Sequence, residues 1–211
     1  MICISIGKMN LIREVNALQP SLVEIRYDLI RKQPDQVVDK LNQSILQVAT
    51  CRPGHYSDMQ RMEILKQAID IGAVYVDIEI ESSHDFIREI SSYAKQRKTH
   101  LIISYHNLTE TPVREKLHEI LKSCYSAGAD IAKIACAVNN KRDNARLLAL
   151  YDEAGRKIVL GMGDKGRITR LAALDLGAEF SFAALSDEEE TAPGQLSYNE
   201  LLMLQKKLHD R

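Results

Sequence analysis

No apolar stretch in the 211 residues approaches the roughly 18 needed to cross a bilayer as a helix. An excess of one charge is missing too. The 28 Lys+Arg set against 29 Asp+Glu leave a formal net charge of -1, which removes the electrostatic reason to expect nucleic acid or a membrane surface as the main partner. The cysteines Cys3, Cys51, Cys124 and Cys136 form no CxxC pair and fall in strand-like or helix-like runs. They read as small buried hydrophobes rather than metal ligands or redox pairs. Zinc spacing is absent among the histidines. His100 and His106 share a face of one strand-like run, but that spacing is about 20 Å, too far for one metal. The opening "MICISIGKMN" has neither the basic flank nor the long apolar region of a signal peptide, so a cytoplasmic location is expected. No Pro/Gly-rich linker divides the chain, whose length fits one large domain or two small ones.

What is present is alternation. Short β-branched runs recur: "ICISI", "LVEIRYDL", "ILQVATC", "AVYVDIEIE", "HLIISYH", "ADIAKIACA", "KIVLGM" and "AEFSFAA". Between them lie helical patterns, starting with a stretch from about Met9 and then "DQVVDKLNQ". Further along come "MQRMEILKQAIDIG" and "VREKLHEILKSCYSAG", each ending in glycine, then "ITRLAALDLG", and a last helix "YNELLMLQKKLHD". Strict βα alternation implies parallel strands covered by helices. Eight such units match a closed (β/α)₈ TIM barrel, near the lower length limit of roughly 200 residues. The expectation is one catalytic domain over residues 1–211. A doubly wound open sheet is the rival, but it usually has fewer strands.

In a helix-covered parallel sheet both strand faces are normally dry. Polar residues nevertheless recur with period two late in the strand-like runs: Glu24, Arg26 and Asp28; Asp77, Glu79 and Glu81; Ser104 and His106; with Ser5, Arg52 and Lys133 in theirs. Helices occupy the outer face, so this polar side must face the barrel interior, at the end where such barrels place their chemistry. Lys133 lies among Ile131, Ile134 and Ala135. Burial there would depress its pKa and make it a nucleophile toward a carbonyl. A lysine so placed also has the option of snorkelling to the strand end or pairing with a carboxylate. His106 ends the preceding strand-like run, about 4.8 Å away across the sheet, and is a proton carrier at working pH or a hydrogen-bonded core residue.

"GMGDKG" fits GxGxxG through Gly161, Gly163 and Gly166. It comes late in the chain, and no acidic strand end follows about 20 residues on. A nucleotide is therefore not expected. A glycine turn with Arg170 one helical turn in suits an anionic substrate group better. The acidic run Asp187–Glu190 reads as a solvated loop leading into "TAPGQ", whose Pro193 and Gly194 read as a shaped lid.

Together these segments resemble the type I 3-dehydroquinate dehydratase family from end to end. The matching pieces are "SIGK", "VEIRYDL", "CR", "VDIEIE", "ISYHNLTETP", "ADIAKIA", "MGDKGRITRL" and "APGQLSYNEL". The SYH-x-x-x-x-TP segment, the lysine strand and the APGQ lid are the specific ones. The resemblance implies a (β/α)₈ barrel, usually dimeric and metal-free, acting without a cofactor in the shikimate pathway. It implies that Lys133 forms an imine with the C3 ketone of 3-dehydroquinate, and that His106 removes the C2 proton and then assists departure of the C1 hydroxyl. Glu24 and Arg26 resemble the pair that holds substrate hydroxyls, and Arg170 resembles the carboxylate clamp. Ser5, Arg52, Thr191 and Gln195 resemble further binding positions.

The sequence departs from that family at specific points. Some members carry a glutamate four residues after the position of Arg52, where it helps place the histidine; here Tyr56 stands there, leaving His55 or Tyr56 as substitutes. Thr191 replaces a serine but keeps the hydroxyl. The chain begins almost at the first strand, without the N-terminal extension that plugs the barrel bottom in some relatives. Two other readings stay open: another imine-forming barrel of the class I aldolase kind, and a catalytically silent barrel used for binding.

Overall fold

The computed structural model describes residues 1–209; Asp210 and Arg211, including the last residue of the expected final helix, lie outside the described residues. Eight strands run parallel: β1 (Ile2–Ile6), β2 (Leu22–Arg26), β3 (Leu46–Thr50), β4 (Tyr75–Glu79), β5 (His100–Asn107), β6 (Ile131–Ala137), β7 (Lys157–Met162) and β8 (Ser181–Ala184). They form one sheet in the order β7-β6-β5-β4-β3-β2-β1-β8. Helices α1 (Ile12–Leu18), α2 (Tyr27–Ile30), α3 (Pro34–Val38), α4 (Asp58–Asp70), α5 (His84–Arg97), α6 (Arg114–Ser126), α7 (Lys141–Leu148), α8 (Arg167–Asp175) and α9 (Tyr198–His209) occupy the connections and the end of the described chain. The expected (β/α)₈ TIM barrel is thus observed, but nearly rather than fully closed. At the seam β7 and β8 share no ladder; one backbone bond from Glu179 N–H to Lys157 O crosses it at 3.0 Å. None of the described helices is long and apolar enough to cross a membrane.

The period of two along the strands sorts side chains into two layers. Ile4, Val23, Ala49, Val76, Ile103 and Ala132 point outward into the cluster shared with the helices. Their neighbours Cys3, Leu22, Val48, Tyr75, Ile102, Ile131 and Ile158 point inward, joining Phe180 and Phe182 as an apolar barrel floor. Fully burying one of the Val, Leu, Ile or Phe side chains is worth about 1.5–3 kcal/mol, and the outer layer is the larger source. Below the floor, Arg156 makes a two-pronged pair with Glu179 (2.9 and 2.6 Å), and Tyr75 adds its hydroxyl to Glu179 at 3.4 Å. All four cysteines are free and buried, as the sequence predicts.

Several segments differ from the sequence pattern for identifiable reasons. "LVEIRYDL" is not one strand. It ends at Arg26, and Tyr27–Ile30 make a single helical turn that folds the Asp28 carboxylate back onto the Arg26 guanidinium at 3.0 and 2.6 Å. The helix expected over "DQVVDKLNQ" stops at Val38. Beyond it the Asn16 side chain captures the Lys40 carbonyl (2.7 Å) and the Asn42 N–H (2.9 Å), giving the backbone partners that a continuing helix would otherwise supply. β4 ends at Glu79, so Glu81 lies in an exposed turn, and Arg52 follows β3 rather than ending it.

Candidate active site

One inward step above the apolar floor the barrel becomes polar. Ser5 (β1), Glu24 (β2), Thr50 (β3), Asp77 (β4), Ser104 (β5) and Lys133 (β6) are all buried and bonded into one belt. Ser5 Oγ donates to Glu24 Oε2 at 2.5 Å, and Thr50 Oγ1 to Glu24 Oε1 at 2.9 Å. Ser104 Oγ donates to Asp77 Oδ1 at 2.6 Å. Lys133 Nζ donates to Asp77 Oδ2 at 2.7 Å, stands 3.9 Å from Glu24 Oε1, and lies 4.0 Å from the centre of the Phe182 ring. A buried charge is tolerated only when paired and hydrogen-bonded, and here every charge in the belt has a partner.

This corrects the environment expected for Lys133. Its neighbours Ile131 and Ile134 belong to the floor and to the outer layer, while its amine meets two carboxylates and an aromatic face. Linear neighbours on a strand point to opposite faces, so they say little about what a side chain touches.

Above the belt lies a cavity of about 280 Å³. Every site residue named from the sequence lines it: Ser5, Glu24, Arg26, Arg52, His106, Lys133, Arg170, Thr191 and Gln195. His106 is two residues beyond Ser104, the register partner of Lys133, which sets the imidazole one layer higher at the cavity wall. Arg52 Nη2 lies 2.8 Å from His106 Nε2. A guanidinium only donates, so Nε2 is the acceptor and the neutral ring carries its proton on Nδ1. That Nδ1 is enclosed without a partner. Burial, and next the Arg52 and Lys133 charges, hold the His106 pKa well below the usual histidine range, so the ring is a neutral base at working pH.

Arg170 enters from α8, 2% exposed. One guanidinium nitrogen donates to the Phe182 carbonyl at 3.3 Å, and Nε has no partner. Burial pushes its pKa down to about 10, against the pull of Glu190; it stays charged at neutral pH and is the cavity's least compensated cation. Arg26, by contrast, spends Nε and Nη2 on Asp28 and keeps Nη1 3.4 Å from the Thr191 carbonyl. Burial raises the Glu24 pKa, but the Lys133 and Arg26 charges outweigh it and keep the carboxyl below the ordinary value.

The loop over residues 189–195 is shaped by its own side chains. Gln195 Oε1 accepts from the Thr191 and Ala192 amides at 2.8 and 3.3 Å. Glu190 Oε2 accepts from Gly194 N–H at 3.2 Å, and Glu189 pairs with Lys8 at 2.8 Å, so half of the acidic run is structural rather than solvated. The "GMGDKG" glycines do not line the cavity. Gly161 and Gly166 pack backbone to backbone, where a Cβ on either would collide with the other. Gly194, at φ 74, covers the Gly163 carbonyl, and Gly163 N–H donates to Pro193 O at 3.0 Å. The turn therefore seats the 191–195 loop, and Arg170 in the helix that follows reaches the cavity. Neither His55 nor Tyr56 reaches His106; the two rings pack edge-on at 4.7 Å, and Tyr56 rests on the outer core.

The sequence pattern marked Asp77 and Glu79 as inward-facing without assigning them a role, and it passed over Thr50, Phe182 and Arg61. Period two is the signal that would have found Thr50, one inward step above the floor residue Val48, and Phe182, two residues beyond Phe180 in the floor itself. Nothing local distinguishes Arg61 from any other helix arginine.

Comparison with known proteins adds the following. The family model described as type I 3-dehydroquinase matches residues 3–210. A 3-dehydroquinate dehydratase of Methanococcus maripaludis is 33% identical over 214 residues, covering 95% of this chain and 96% of that protein. One from Desulfotalea psychrophila is 30% identical over 215 residues, covering 95% and 94%. The crystal structure of the 3-dehydroquinate dehydratase from Aquifex aeolicus superposes with a TM-score of 0.85 at 28% identity, covering 100% of both chains.

Proposed function

The chain belongs to the type I 3-dehydroquinase family, and from that premise we propose that it dehydrates 3-dehydroquinate to 3-dehydroshikimate through an imine on Lys133, with His106 moving the protons. The observation that carries this reading is the shared cavity, in which a buried lysine and a neutral, partly enclosed histidine stand on adjacent strands.

The steps follow from the groups present. The Lys133 ammonium gives up a proton, with Asp77 Oδ2 at 2.7 Å as the nearest acceptor. The free amine adds to the C3 ketone and water leaves, forming a C=N bond. The protonated imine draws electrons from the adjacent C2–H bond, and His106 Nε2 takes that proton. The electron pair then expels the C1 hydroxyl, which departs as water with the proton from His106. Water cleaves the conjugated imine, releasing product and amine. Arg52 covers Nε2 at rest and moves aside when substrate arrives.

Binding uses what the belt leaves free. The substrate carboxylate supplies Arg170 with the charged partner it lacks, by a two-pronged contact. Glu24 keeps lone pairs for a substrate hydroxyl beyond those used by Ser5 and Thr50, with Arg26, Arg52, Thr191 and Gln195 around it. Membership of the shikimate pathway, a homodimer and a cytoplasmic location belong to the same proposal; sedimentation and cell fractionation test the last two.

The direct test is incubation with 3-dehydroquinate while following the ultraviolet absorbance of the conjugated product, with borohydride added to trap the imine. Absorbance should rise, and mass spectrometry should find the adduct on the Lys133 peptide. No turnover, or an adduct on another lysine, sinks the proposal.

A further inference from the structure

Arg61, on α4, is 1% exposed and does not line the site cavity. Its guanidinium lies 4.6 Å from the centre of the Phe86 ring, and its donors go three ways. Nε reaches the Cys51 carbonyl at 2.8 Å, Nη1 reaches Asp58 at 2.8 Å, and Nη2 reaches Glu79 Oε2 at 2.9 Å. Two of these converge on Arg52. Cys51 is the residue immediately before it, and the other Glu79 oxygen, Oε1, lies 3.9 Å from Arg52 Nε. Arg52 in turn places Nη2 2.8 Å from His106 Nε2.

A buried ion pair adds little net stability over apolar side chains of the same volume, so fold stability alone does not account for this arrangement. Direction does. Arg52 follows β3 in a loop, where a long side chain has many rotamers. Arg61 holds the backbone at the base of Arg52, and Glu79 flanks its guanidinium.

We propose that Glu79, held by Arg61, is a positioning residue that aims Arg52 at His106 and so sets how the imidazole is presented to substrate. The inference rests on the reading of His106 as the proton carrier. Facing the ring are Arg52 from the β3–α4 connection, Lys133 from β6, and Glu24 and Arg26 from β2. Glu79 acts through the first of these.

The test exploits two effects of opposite sign. Removing the Glu79 charge acts through space to disfavour the imidazolium, lowering the His106 pKa further. Releasing Arg52 removes the nearest cation and raises it. Histidine ¹⁵N NMR titration of the ligand-free protein reads this without any turnover. Positioning predicts that Glu79→Gln raises the His106 pKa by about one unit and lowers kcat, while borohydride still labels Lys133. A lowered or unchanged His106 pKa overturns the proposal. If Glu79→Gln does not fold, Glu79→Asp keeps the charge but shortens the reach; the same rise is expected, and an unmoved titration overturns the idea. Failure of trapping in the wild-type enzyme would count against the imine chemistry and leave the titration result standing.

Discussion

Lys133 Nζ stands 2.7 Å from Asp77 Oδ2 across the intervening strand β5, whose Ser104 hydroxyl holds the other Asp77 oxygen at 2.6 Å. The amine proposed for covalent chemistry is therefore carried by a buried ion pair, and the carboxylate that stabilises it is also the nearest place for its proton to go. The pair ties the reaction to the stability of the barrel.

Breaking that pair from one side should be costly. Asp77→Asn keeps the shape but leaves the Lys133 charge buried with only Glu24 at 3.9 Å. A loss of roughly 3 kcal/mol is expected on this account, read from urea unfolding, together with slower borohydride trapping. Wild-type stability and trapping would remove Asp77 from both roles.

Lys133 and His106 should fail differently. Lys133→Ala should abolish turnover and trapping together, because no other group supplies the electron sink. His106→Ala should slow elimination by roughly 10²-fold or more, the usual scale for lost acid–base catalysis, while some imine still forms and is trapped. Full activity without His106 contradicts its assignment.

Arg170→Met separates binding from folding. The guanidinium is buried with one carbonyl contact and an unpartnered Nε, so its removal should leave thermal stability unchanged or raised. Loss of a contact to a charged group costs about 1.5–3 kcal/mol, so KM should rise roughly ten-fold or more. Unchanged KM and kcat would show that the carboxylate binds elsewhere.

The pH dependence follows from the depressed His106 pKa. Above that pKa the ring is the neutral base, so the acid limb of kcat/KM should fall below 6.5, the ordinary histidine value. The stability sign is fixed by proton uptake. Below 6.5 the unfolded chain binds a proton that the folded chain refuses. This contribution to stability is therefore complete above 6.5 and is lost as pH falls toward the folded pKa. His106→Ala should flatten that part of the stability profile relative to wild type. An acid limb above 6.5 would mean that the rate reports another group.

The barrel and its inward-facing polar layer were legible in the sequence because both depend on short-range periodicity. Alternating β-branched and amphipathic runs force parallel strands under helices, and period two sends Ser5, Glu24, Asp77, Ser104 and Lys133 to one side. The specific runs around His106, Lys133 and Gln195 then pointed to a family. Tertiary structure decided what each of these groups touches. Lys133 meets Asp77 and Glu24 because barrel stagger brings β2, β4 and β6 to one level, and linear neighbours cannot report that. The premature stop of α3 and the seating of the 191–195 loop by Gly194 each turn on contacts between segments far apart in the chain. Arg61 is the extreme case: an ordinary helix arginine by pattern, it becomes the anchor beneath Arg52 only because α4 lays it between β3 and β4.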